Sequence, residues 1–104
     1  MFEISGRICK KSDLKVNSSG KCSIIFTIAN NLFVADDHKL NSYLPCVAFG
    51  KVAKYLNNLE IGAKIRIEGY IRSREYKKRL DNNDYVIRIA HELVIKDCEE
   101  IDEV

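Results

Sequence analysis

Lys64-Ile-Arg-Ile-Glu-Gly-Tyr-Ile-Arg-Ser-Arg-Glu-Tyr76 is the stretch on which the reading of the fold turns. Alternation assigns Ile65, Ile67 and Ile71 to one side and Arg66, Tyr70, Arg72, Arg74 and Tyr76 to the other. A period of two is that of an extended strand with one buried face. The buried side is aliphatic; the other is cationic and aromatic. Gly69 interrupts the pattern where a small barrel needs a bulge or sharp bend, and Gly6 is read the same way. Lys77, Lys78 and Arg79 carry the positive charge on to the turn signal Asp81-Asn82-Asn83-Asp84, after which alternation resumes over Tyr85 to Ile95. The two segments are therefore expected to form a hairpin.

Upstream the period changes. Val52, Tyr55, Leu56 and Leu59 fall at helical spacing between Gly50 and Gly62, giving one stripe of a short helix. Before it, Tyr43 to Phe49 is extended, with Leu44, Cys46 and Ala48 opposed to Tyr43, Val47 and Phe49. Residues 31–41 hold Asp36-Asp37-His38 and few apolar anchors after Phe33 and Val34, and read as a mobile hairpin connection. Cys22 to Asn30 sets Ile24, Phe26 and Ile28 on one face, and its β-branched residues favour a strand. Lys10 to Lys21 is a polar connection whose Asn17-Ser18-Ser19-Gly20 cluster signals a turn. Phe2, Ile4 and Ile8 mark a first strand. The order β-β-β-α-β-β, without repeat or low-complexity segment, predicts an all-β fold: a five-stranded Greek-key barrel of the OB type with one short helix between strands three and four.

At 104 residues, 46% of them hydrophobic, the chain supports one core. No apolar run approaches the ~18 residues of a membrane span, and the first residues do not resemble a signal peptide, so a cytoplasmic location is expected. Cys9, Cys22, Cys46 and Cys98 form no metal-ligand spacing, and they read as small hydrophobes in a reducing compartment; no cofactor is expected. The formal charge of +2 hides an asymmetry, because residues 97–104 hold five acids and no base. Residues 1–96, the expected domain, carry 17 basic against 10 acidic side chains, and 97–104 are expected to be a short acidic tail. A basic body favours polyanionic partners.

The face bearing Tyr70, Arg72, Arg74 and Tyr76 gives that partner a chemistry. Guanidinium groups pair with phosphate oxygens, and exposed rings offer flat apolar surfaces to unpaired bases, which duplexes hide. A single ring in a barrel strand is commonly core or subunit interface, and a single Arg is commonly just solvated. Their conjunction on one face of one segment carries the reading. Arg66, Tyr43, Phe49, Lys51, Lys77 and Lys78 extend the candidate surface.

The sequence resembles the bacterial and phage single-stranded DNA-binding protein (SSB) family from Gly6-Arg7 through Ile95. The resemblance rests on Gly6-Arg7-Ile8, on Ser19-Gly20 before Phe26-Thr27-Ile28-Ala29, on Val47-Ala48-Phe49-Gly50-Lys51-Val52-Ala53, and on Ile67-Glu68-Gly69-Tyr70-Ile71-Arg72-Ser73-Arg74-Glu75-Tyr76. It implies an OB-fold that binds single-stranded DNA with little sequence preference in replication, recombination or repair, as a homo-oligomer, usually a tetramer. By position it implies base stacking at Tyr43, Phe49 and Tyr76 and phosphate contacts from Lys51, Arg72 and Arg74. Two departures stand out: there is no Trp, and the sequence ends Glu99-Glu100-Ile101-Asp102-Glu103-Val104, without the long linker and Pro-Phe tip through which family members recruit replication and repair enzymes. A chain of this length also resembles primosomal replication protein N, a dimeric relative.

Two other function classes compete. One is a protein-binding adaptor module with weak nucleic-acid affinity, as in a primosome. The other, an enzyme, has little support: His38 and His91 lie far apart, and neither accompanies a nucleophile motif, a carboxylate pair or a phosphate loop.

Overall fold

The computed structural model describes residues 1–34 and 38–101. Its elements are β1 (Phe2–Lys11), β2 (Lys15–Val16), β3 (Cys22–Val34), β4 (His38–Phe49), α1 (Gly50–Asn57), β5 (Lys64–Arg79) and β6 (Tyr85–Glu100). The first half of β1 pairs with β5 and its second half with β3, with the register shifting between Ile8 and Lys10. β3 pairs with β4, β5 pairs with β6, and a parallel seam joins Cys46–Ala48 to Leu93–Ile95. The circuit β1-β3-β4-β6-β5 thus returns to its start, and this gives the expected OB-type barrel. The two-residue β2 is an addition. It forms because Asn17 Oδ1 accepts from the backbone N–H groups of Ser19 and Lys21, folding the chain back onto Cys22 and Ser23.

Inside lie Ile8, Ile24, Phe26, Ile28, Ile65 and Ile67, all but fully buried. Each such side chain contributes roughly 1.5–3 kcal/mol relative to exposure. One end of the core is packed by α1 through Ala53 and Leu56. The helical stripe expected from sequence is partly re-drawn: Val52 and Leu59 pack at the edge, small Ala53 takes the buried place, and Tyr55 stays at the rim, where its hydroxyl accepts the Glu100 N–H at 2.9 Å. At its C-terminal end, Lys11 Nζ donates to the carbonyls of Asn57 at 2.8 Å and Leu56 at 3.3 Å, and to that of Leu59. The last carbonyls of a helix lack partners within it, Leu56 O meeting only backbone N–H groups just beyond the helix, that of Leu59 at 3.1 Å, and a cation there also interacts favourably with the helix dipole.

Three expectations change. First, backbone pairing runs on from Asn30↔Ser42 to Val34↔His38, where the sequence suggested a loop over 31–41; only 35–37 fall outside the described residues. An antiparallel ladder already in register propagates past its apolar anchors because each further pair satisfies backbone groups. Second, the last strand continues beyond Ile95 to Glu100, with Cys98 opposite Ile67 and Glu99 opposite Arg66. Residues 97–100 are therefore strand, while 102–104 lie outside the described residues. Third, Ile71 shares the side of Ile65 and Ile67 yet is exposed, as are Ile87 and Ile89. The β5–β6 hairpin outruns the barrel, so nothing among the described residues covers that side of it.

Gly69 is where the hairpin leaves the barrel. The register shifts between Glu68 and Gly69, leaving Lys96 as the extra residue of β6, and a Cβ on Gly69 would stand 2.0 Å from the Val94 carbonyl oxygen. Gly6 is equally confined, since its Cβ would meet Ile28 Cγ2 at 2.4 Å. Gly69 fits the bulge position read from sequence, whereas at Gly6 the confinement is the close approach of β3, the β1 register shift lying further on between Ile8 and Lys10. No helix among the described residues is long and apolar enough to cross a membrane.

Candidate nucleic-acid interface

The strand registers place the candidate rings and cations with respect to one another. Tyr70 stands opposite Val94, Val94 beside Val47, and Val47 opposite Ile25, so one row crosses β5, β6, β4 and β3 on the outward face. Period two then places Arg72, Arg74, Tyr76 and Lys78 further along this face on β5, and Tyr43 and Phe49 on β4. The structure brings these residues onto one continuous surface. Tyr43 is 62% exposed, Phe49 47%, Tyr70 41% and Tyr76 47%, so none of the four rings belongs to the core. Val47 and Val94 share the outward face but are buried, giving the surface an apolar floor at the β4–β6 seam.

The cations differ in how committed they are. Arg74 is exposed and holds no partner among the described residues. Arg72 donates from Nε to Glu92 at 2.9 Å, with Nη2 on the same carboxylate oxygen, and its guanidinium carbon lies 5.9 Å from the centre of the Phe49 ring. Lys96 lies over Tyr70 at 5.5 Å. Such contacts attract each cation to a ring face, and both rings stay partly exposed, Phe49 at 47% and Tyr70 at 41%. Lys51, in the first turn of α1, is exposed and lines a cavity next to Phe49.

Two sequence candidates separate from the group. Arg66 points outward but is held by carboxylates: Glu68 at 2.6 Å, Glu99 at 2.9 Å, and Glu3 and Asp97 at 3.5 Å. The Glu99 hydrogen bond leads in holding its pKa above the usual guanidinium value, so its charge is spent within the protein. The sequence concealed this because Glu3, Asp97 and Glu99 belong to segments remote in the chain. Lys77 alternates to the opposite face of the hairpin, across from Ile87.

Three residues join the surface that sequence reasoning passed over. Arg88 stands opposite Tyr76, and Glu92 opposite Arg72; both could be found by counting alternation back from Val94. Lys96 reaches Tyr70 only through the β6 bulge, which the sequence of β6 does not announce. His91 Nδ1 lies 2.7 Å from Ser73 Oγ on the exposed hairpin, next to Ile89, which is not core. Burial pushes the thiols of Cys46 and Cys98 up to about 12, keeping them protonated and unreactive. Among the described residues there is no group of metal-ligating side chains.

Comparison with protein families matches residues 1–97 to the single-strand binding protein family. Among solved structures, the protein PriB from Ralstonia solanacearum superposes with a TM-score of 0.69, covering 96% of each chain at 9% sequence identity. At that identity the likeness is one of fold. No curated protein sequence matches the chain.

Proposed function

This chain belongs to the single-strand binding protein family, and on that premise we propose that it coats single-stranded DNA with little sequence preference, through the outward face of β3, β4, β6 and β5. Membership makes it a non-enzymatic single-stranded DNA-binding protein of replication. The observation that carries the proposed mode is the convergence of Tyr43, Phe49, Tyr70 and Tyr76, all exposed, with Arg72, Arg74, Lys78 and Arg88 on one surface. Rings stack on any base, which makes binding tolerant of sequence, and the cations follow the phosphates between them. Each ring contributes about 1–3 kcal/mol on this mechanism. Arg66 stays out of the contact set.

The same reading extends to recombination and repair, where single strands are also exposed, and to assembly of copies of the chain. Ile71, Ile87 and Ile89 leave an aliphatic strip on the back of the hairpin, opposite the binding face, and a second copy of the chain would cover it. A tetramer is the expected state and a dimer the next. Titration of fluorescent oligo-dT against a duplex of equal length tests the binding mode, with light scattering for stoichiometry. Oligo-dT should bind far more tightly and lose affinity steeply with salt; equal affinity for both would end the proposal.

A further inference from the structure

Phe49 is a wall shared by two cavities. One, of about 620 Å³, lies between the β2–β3 turn and the start of α1 and is lined by Lys21, Cys22, Phe49, Lys51 and Lys54. The other, of about 450 Å³, lies on the β2 side and adds Lys15 while sharing Lys21 and Phe49. Both volumes fall in the range of small-molecule sites, ~300–1,000 Å³. None of the four lysines makes a side-chain hydrogen bond or ion pair among the described residues, and no acidic residue lines either cavity. Two of the walls lack side chains altogether: Gly20 and Gly50 hold positive φ angles of 84° and 63°, and a Cβ on either would point into open space. Apolar ring, buried thiol wall, bare backbone and unpaired ammonium groups together suit one chemical class, a nucleobase carried on a phosphodiester.

We infer that the bound single strand does not end on the β4–β5 face but turns over Phe49 and seats a further nucleotide in the cavity between the β2–β3 turn and α1, its phosphates held by Lys21, Lys51 and Lys54. The inference rests on the proposed single-strand binding, and it deepens that reading by giving the path a direction and a bend. Continuity supports this path, because Phe49 bears Arg72 on the strand face and also walls the cavity. Lys21 and Lys54 then serve the longer footprint and leave a short one on the strands untouched.

The test is a dT length series from about 4 to about 16 nucleotides, the span of OB-fold site sizes, with salt titration of wild type, Lys21→Gln, Lys54→Gln and the double variant. Lys64→Gln, on β5 beside Arg66 and away from Phe49, serves as a charge control. Oligomers long enough to reach the cavity should bind the double variant with a salt slope shallower by about 1.4, at about 0.7 per phosphate contact. The shortest oligomers that bind should not distinguish it from wild type. Unchanged slopes with long oligomers, an equal loss with the shortest, or an equal loss in Lys64→Gln would each overturn the inference. If wild type fails to prefer dT over duplex, the failure lies instead with the binding reading.

Discussion

Arg66, Arg72 and Arg74 share one strand and one face, and the structure pairs them internally to different degrees, so different weights in the proposed binding are expected. For single strands the logarithm of affinity falls against the logarithm of salt concentration with a slope of about −0.7 per neutralised phosphate. Arg74, unpartnered and exposed, should supply a full contact, so Arg74→Ala should flatten the slope by about 0.7. Over a tenfold rise in salt, the variant then loses about fivefold less affinity than wild type. Arg72 already donates to the Glu92 carboxylate, so its net release of counterions is smaller and Arg72→Ala should flatten the slope by clearly less. Arg66 faces four carboxylates within 3.5 Å, and Arg66→Ala should leave the slope nearly unchanged. Glu92→Gln should steepen the slope, by up to about 0.7, because it frees Arg72 for phosphate. The assay is fluorescence anisotropy of labelled oligo-dT over a salt series. Equal flattening in all three arginine variants, or the largest at Arg66, would refute the argument that internal pairing decides which guanidinium reaches DNA.

Packing and capping give further expectations. Gly69→Ala must move β5 away from the Val94 carbonyl, since 2.0 Å is far inside any contact distance; we expect a loss of roughly 1–3 kcal/mol or more in chemical denaturation, and weaker dT binding because Tyr70 and Val94 shift with it. Lys11→Met removes the cation that holds the carbonyls of Leu56, Asn57 and Leu59, and should cost about 1–2 kcal/mol in the same assay without altering the salt slope. Burial raises the Cys46 and Cys98 thiols from 9.0 to about 12, so the folded state keeps protons that the unfolded chain releases. Their contribution to stability is therefore complete below pH 9.0 and declines as pH rises towards about 12; a double Cys→Ser variant melted across that window should show a smaller decline.

Most of the barrel was legible because alternation reports which way a side chain points. It placed Ile24, Phe26, Ile28, Ile65 and Ile67 inside, and Tyr43, Phe49, Tyr70 and Tyr76 outside. Alternation does not report what lies above a face. Ile71 follows the same rule as Ile67, but the hairpin has already left the barrel at that point, so the residue is exposed. Nor does it report partners from remote segments. The acids around Arg66 come from β1, β5 and β6, and only the closed circuit of strands gathers them. The five acids of residues 97–104 read as a tail from composition, which carries no register; in the fold, Asp97 and Glu99 are strand residues that ion-pair with Arg66. Lys15, Lys21 and Lys54 escaped notice for a similar reason, since Lys15 and Lys21 belong to a polar connection and Lys21 joins Lys51 and Lys54 around one cavity only once the β2–β3 turn folds against α1.

The parallel seam between β4 and β6 spans only Cys46–Ala48 and Leu93–Ile95, the narrowest join in the circuit. It runs beneath the middle of the proposed binding face, at Val47 and Val94, so a polynucleotide laid from Tyr70 towards Phe49 would cross it like a splint over a crack. Occupancy should then slow amide hydrogen exchange at Val47 and Val94 more than in the β3–β4 ladder. The ligand would brace the very joint that keeps the cylinder shut.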